Sequence, residues 1–162
     1  MSESRSTLVA RFIRFGIVGG SGVFVNLGIY GLLTRLLTWG ATLWGRYASY
    51  ALSVEISIIT NFLLNDVWTF ADRRGRSGAW ARFLKFHVVS LVGAVVNWGV
   101  FAALNWLMDA GKLSLVGDVT VALPWGGWSW TGNVDDFIAA CIGIVAAMTW
   151  NFFANLWWTW KK

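Results

Sequence analysis

The sequence predicts an all-α integral membrane fold: four transmembrane helices built as two parallel helix-pair repeats, with both termini cytoplasmic. Three observations predict it. The chain is 57% hydrophobic and only 13% charged, with a mean hydropathy of +0.58, whereas a soluble domain carries about 25% charge. Its apolar residues fall into four runs, each near the ~20 residues needed to cross ~30 Å of hydrocarbon. The second half of the chain also rewrites the first. So few charges and a single Pro exclude disorder. Alternating ~10-residue segments, the mark of a β-barrel, are absent from the runs.

The first run, about Phe15–Thr34, follows Arg5, Arg11 and Arg14. It is too long for a cleaved signal peptide and has no small-residue cleavage site after it, so it is expected to stay as a signal anchor. Gly16 to Gly20 form a small-xxx-small motif suited to close helix packing or dimerisation. The second run, about Tyr47–Thr69, carries Glu55 and closes with NFLLNDVWTF, Asn61 to Phe70. Arg73, Arg74, Arg76, Arg82 and Lys85 separate it from the third run, about Phe86–Leu107, where His87 reads as a structural residue at the interface.

An outer loop spans about 108–136. Within it Leu113–Leu123 partly alternates and Pro124–Trp128 turns, the pattern of a small hairpin lying on the outer leaflet. The fourth run, about Phe137–Trp158, contains the lone Cys141, which excludes an intramolecular disulfide. It closes with NFFANLWWTW, Asn151 to Trp160.

Ten of the thirteen basic residues lie before run one, between runs two and three, or at Lys161 and Lys162; Arg35, Arg46 and Lys112 fall on the other side. The positive-inside rule therefore places the termini and the middle loop in the cytoplasm. The net charge of +5 is tied to helix ends, which argues against nucleic acid and for topology or anionic headgroup contact.

Residues 11–33 and 82–104 match at a shift of 71 in nine of 23 positions, including Arg11/Arg82, Gly22/Gly93 and Asn26/Asn97. Roughly two matches would arise by chance from such a composition. The Asn, Phe, Asn, Trp and Thr of the closing signature recur at a shift of 90. Repeat one covers about 11–70 and repeat two about 82–160 of one membrane domain over 1–162. Each repeat crosses twice, so the two run parallel, and transporters place substrate sites at such repeat interfaces.

Polar groups in hydrocarbon are costly and mark function. Counting ~1.5 Å per residue puts Asn26, Asn97 and Glu55 near the midplane. No basic residue is expected at that depth, so Glu55 should be protonated or face a hydrated cleft. A second polar layer joins Asn61, Asn65 and Trp68 with Asn151, Asn155 and Trp158, each trio at i, i+4 and i+7 of one helix face. Amides suit a polyol. The bases at the starts of helices one and three, Arg11, Arg14, Arg82 and Lys85, suit a phosphate. Trp68 and Trp158 read as interfacial aromatics. Asp66 is the one acid in this layer, placed to pair with an arginine or repel phosphate. There is no metal cluster, nucleophile set, P-loop or dinucleotide motif, so neither cofactor nor enzymatic activity is expected.

These residues carry a resemblance. The chain resembles the GtrA-like family of small four-helix membrane proteins over nearly all of 11–160. The likeness rests on Arg11, Phe12, Phe15, Val18 and Gly19, on Asn61 to Phe70, and on the repeat of both. It implies polysaccharide and cell-envelope glycosylation at the bacterial cytoplasmic membrane. It further implies movement of a polyprenyl-phosphate-linked sugar or its lipid carrier, beside a polyprenyl-phosphate glycosyltransferase. The family often has a basic residue where Asp66 stands, and Leu156 takes its place in repeat two, which shifts the expected phosphate contacts to the arginines of helices one and three.

The leading expectation is thus a flippase for a lipid-linked sugar. Phosphate would sit on Arg11, Arg14, Arg82 or Lys85, and sugar on Asn61, Asn65, Asn151 and Asn155, before passing Asn26, Asn97 and Glu55. Four helices enclose little volume, which points to a homodimer in contact with membrane lipids. A membrane anchor or scaffold for the transferase is the alternative. A small multidrug-type exporter fits less well, because the duplicated asparagines have no place in it.

Overall fold

The computed structural model describes residues 5–36, 39–75, 77–114, 116–122 and 129–161. It has four long helices, α1 (Arg5–Leu36), α2 (Leu43–Leu64), α3 (Ala79–Asp109) and α4 (Asp135–Ala154). All four are long and apolar enough to cross a membrane, where a helix satisfies its own backbone polar groups. The chain is a multi-pass membrane protein.

The helices begin earlier than the apolar runs. Arg5, Arg11 and Arg14 lie inside α1, and Arg82 and Lys85 inside α3. Apolar composition alone stops at a charge, but a helix continues through an arginine whose guanidinium finds partners. His87 is therefore eight residues into α3, about 12 Å from its start. The start of α2 is capped by Thr42, whose extended backbone (φ −116°, ψ 152°) lets Oγ1 accept the Gly45 N–H at 3.0 Å.

α2 and α4 end alike. Each runs into a five-residue π-helical turn, Asn65–Thr69 and Asn155–Thr159. The Phe70 N–H reaches back to the Asn65 carbonyl at 2.8 Å, and the Trp160 N–H to the Asn155 carbonyl at 2.9 Å. Single π turns inside helices often mark functional sites.

The chain forms two compact units, Met1–Ser90 with Phe152–Lys162, and Leu91–Asn151. The first holds an aromatic core. Phe70 and Trp160, both 0% exposed, stack at 4.3 Å and 9°. Phe15 of α1 meets Phe70 and Phe152 at 6.1 and 5.7 Å, while Phe86 of α3 meets Trp160 and Phe62, each at 5.8 Å. Each such pair adds about 0.5–1.5 kcal/mol beyond its burial. Lipid supplies no hydrophobic drive for helices to associate, so packing of this kind holds them.

In the second unit, strand β1 (Asp118–Ala122) pairs antiparallel with β2 (Ser129–Asn133), with Thr120 opposite Thr131. A hairpin is present as the alternation predicted, so the fold is not wholly helical. The expected turn at Pro124–Trp128 lies outside the described residues. Asp135, at the start of α4, accepts the Val116 and Gly117 N–H groups at 2.8 and 2.9 Å and so ties the hairpin to the helix.

Small residues set the helix contacts. A Cβ on Gly22 would come within 2.9 Å of Asn61 Cγ, and one on Gly93 within 2.7 Å of Asn151 Cγ. The equivalent glycine therefore faces the equivalent amide in each unit. At Gly20 nothing lies within 4 Å, whereas Gly22 stands against Asn61. On α2, the buried Ser49, Ser53 and Ser57 form a stripe at i, i+4 and i+8. On α4, Ala139, Gly143 and Ala147 stand at the equivalent positions.

Candidate functional site

The basic ends of α1 and α3 face the π-helical ends of α2 and α4. The four cations expected at these ends are there and divide into two kinds. Arg11 and Arg82 are buried, each 6% exposed. Arg82 Nε and Nη2 donate to the two Asp66 carboxylate oxygens at 2.8 and 3.1 Å, and Arg82 Nη1 also donates to the Arg74 and Ser77 carbonyls. Asp66 further accepts the Trp160 indole N–H at 2.9 Å and lies 3.2 Å from Arg74 Nε. Arg11 donates to the Thr69 carbonyl at 3.0 Å and to both Asp72 oxygens at 2.9 and 3.1 Å. Such forked pairs are strong and directional. Asp66 thus pairs with an arginine, one of the two roles the sequence left open for it.

Arg14 and Lys85 are the outward kind. The Arg14 guanidinium sits 5.7 Å from the Trp68 ring centre, and Lys85 Nζ sits 5.9 Å from that of Trp158. The two corners match position for position under the repeat. Each joins a cation to an aromatic face, a contact of about 0.5–1 kcal/mol when exposed. Beside the first corner lies an open cleft of about 550 Å³, lined by Ser6, Thr7, Arg11, Arg14, Trp68 and Asp72 among others. A cleft with cations, hydroxyls and an indole accommodates an anionic headgroup with a polar substituent.

The signature asparagines also divide. Asn65 and Asn155 are buried, at 1% and 0% exposure. Thr159 Oγ1 donates to Asn155 Oδ1 at 2.7 Å. Asn61 and Asn151 are half-buried, and the Oδ1 of each is without a hydrogen-bond partner among the described residues. An unmatched amide atom in an apolar setting is costly; Asn65 Oδ1 and Asn155 Nδ2 are likewise unmatched among the described residues, and Asn61 and Asn151 are the less buried two. Deeper in the first unit, Ser53 Oγ contacts Asn26 Oδ1 at 3.3 Å. In the second unit, a Cβ on Gly143 would come within 2.8 Å of the Asn97 carbonyl. Glu55, two residues from Ser53, is turned about 200° away on the helix and lies 3.5 Å from His87 Nδ1. The polar layer does have a basic partner for Glu55: the helix that starts at Ala79 carries His87 up to it.

Sequence reasoning missed Arg74, Asp72, Trp160 and His87, and the small-residue stripe at 49, 53 and 57. The stripe had a signal in the matching Ala139, Gly143 and Ala147. The sequence offered Asp66 an arginine but not which one, because Arg74 and Arg82 are brought to it only by folding.

The GtrA/DPMS transmembrane domain pattern matches residues 14–160. The chain belongs to this family. It is also 42% identical over 101 residues to a protein of Pyrococcus furiosus named dolichol-phosphate mannosyltransferase. That match takes in 61% of this chain but 26% of the relative, so the chain spans about a quarter of that protein's length. The GtrA/DPMS family is tied to the processing of polyprenyl-phosphate sugars.

Proposed function

We propose that this GtrA-type domain binds the headgroup of a polyprenyl-phosphate-linked sugar at the basic ends of its helices and carries it across the cytoplasmic membrane. The observation that supports this best is the duplicated cation–tryptophan corner, Arg14 over Trp68 and Lys85 over Trp158, with an open cleft beside the first. Phosphate takes the outward cations Arg14 and Lys85, with Arg11 at the wall of the cleft. Arg82 and Asp66 hold the site's frame from within, and Asn65 and Asn155 shape the helix ends. The sugar meets Asn61 and Asn151, whose Oδ1 atoms have capacity to accept, and passes the level of Asn26, Asn97 and Glu55. In this reading the two repeats run parallel, both ends face the cytoplasm, two copies associate, and a glycosyltransferase supplies or consumes the lipid. Catalysis is not assigned to this domain.

A headgroup-accessibility assay in proteoliposomes tests it, using a short-chain polyprenyl-phosphate sugar. Wild-type protein should expose inner-leaflet substrate, and Arg14→Ala with Lys85→Ala should slow exposure at least tenfold. Unaltered exposure in the double variant removes the corners from the path.

A second reading is favoured by the match to a quarter of a longer protein named as a transferase. There the domain anchors or presents lipid to a polyprenyl-phosphate glycosyltransferase and moves nothing. Stoichiometric capture of the enzyme, with no headgroup exposure by the purified domain, selects it.

A further inference from the structure

We propose that Glu55 and His87 form a proton-binding site that couples headgroup movement to proton movement. The inference rests on the translocation reading above and adds a driving force to it. The pair joins α2 to α3, with Glu55 Oε1 3.5 Å from His87 Nδ1. The Glu55 side chain is 45% exposed and that of His87 25%, while His87 Nδ1 itself is buried and has no hydrogen-bond partner among the described residues. Glu55 is thus the open member of the pair.

The surroundings make the pair sensitive to its proton count. Glu55, Ile59 and Leu63 share one face of α2, and Trp80, Phe83 and His87 share one face of α3. Ile59, Phe62, Leu63, Ala79, Trp80 and Phe83 line an apolar groove of about 260 Å³ along this seam. The Phe83 ring lies 5.8 Å from the imidazole. With one proton between them the pair is neutral, as carboxylate and imidazolium or as carboxylic acid and imidazole. A second proton leaves a net charge of +1, and loss of the first leaves −1. Either charge is disfavoured in hydrocarbon, so the seam closes around the one-proton state and loosens when a proton is gained or lost.

No other ionisable group competes for the pair. On α3, Arg82 is held by Asp66, and Lys85 leans on Trp158. On α2, Tyr50 packs against Tyr30 of α1, and Arg46 and Tyr47 lie two turns or more away in sequence. On α1, Arg14 is over Trp68, and α1 offers only Asn26 near this level, to Ser53. Among the described residues, no other charged group reaches ion-pair distance of Glu55 or His87.

The internal repeat sets the pair apart. Gly22 and Gly93, Asn61 and Asn151, the π turns and the cation–tryptophan corners are written twice, whereas Glu55 and His87 are written once, since their counterparts are Val145 and Gly16.

The test is transport in proteoliposomes under an imposed pH gradient, with a trapped pH dye reporting proton flux. The lipid-linked sugar should redistribute between leaflets by about tenfold per pH unit for one coupled proton, with a proton signal that needs substrate. His87→Gln should still exchange headgroups, but with no redistribution and no proton signal, and Glu55→Gln should lose the redistribution and the proton signal whatever its exchange rate. A wild-type distribution indifferent to the gradient, while exchange proceeds, overturns the coupling and leaves translocation standing. Coupling retained by both variants overturns the assignment to this pair. A protein that moves no headgroup under any gradient overturns the translocation reading, and the coupling with it.

Discussion

The closing signature exists twice, and the two copies are not equivalent. In both, a π turn sends a Trp outward beneath a cation and turns the third aromatic of the trio into the core. In both, a half-buried Asn meets a glycine of the preceding helix. The copies part at two buried positions, Asp66 against Leu156 and Phe70 against Trp160. Asp66 gathers Arg82 and the Trp160 indole, while Arg11, the counterpart of Arg82, turns to the Thr69 carbonyl and to Asp72 at the surface. Duplication thus supplied the helix pairs, and divergence at single residues decided where charge is buried.

The largest break in this comparison should come from Asp66→Leu, which makes the first copy read like the second. It leaves Arg82 buried without its counter-ion, a loss of about 3–5 kcal/mol, to be seen as a marked fall in the thermal midpoint in detergent. Asp72→Ala should cost about 1 kcal/mol or less, because Asp72 is 57% exposed and surface pairs contribute little. If the two variants unfold together, the corners are energetically alike and the asymmetry carries no weight.

Gly22→Ala and Gly93→Ala come next, each expected to lose about 1–3 kcal/mol by forcing a methyl into the Asn61 or Asn151 amide. Gly20→Ala, with open space at its Cβ, should match wild type in the same melt. Trp160→Phe copies Phe70 into the second repeat. It keeps an aromatic stack but removes the N–H from Asp66, for a loss of about 1–2 kcal/mol. Arg14→Ala and Lys85→Ala should shift stability least, by about 1 kcal/mol or less each. They should nonetheless reduce headgroup binding, measured by titration with the lipid-linked sugar. Large stability losses from these two would place them in the frame of the fold and not in its site.

The four helices, the hairpin and the repeat were legible because each is a local pattern: apolar run length, alternation, and identity at a fixed shift. The signature asparagines and the basic residues were legible as a group for the same reason, since polar residues stand out in an apolar run. Their division into buried and outward members was not. Helix periodicity puts Asn61 and Asn65 on one face, but whether that face meets a glycine, a core or lipid depends on the neighbouring helix. Nor was the partner of His87 legible, because its contact with Glu55 joins α2 to α3.

The sequence by itself determined four helices of membrane-spanning length, a closing signature that recurs, and a cluster of cations where helices one and three begin. Membrane insertion depends on composition and length alone, which any reading of the chain can count. Only the tertiary structure decided which cations are used up, which amides keep an acceptor to offer, and that Glu55 has a histidine beside it. Those outcomes depend on contacts between residues up to 94 positions apart, as in Trp160 and Asp66. No local pattern specifies a contact of that range.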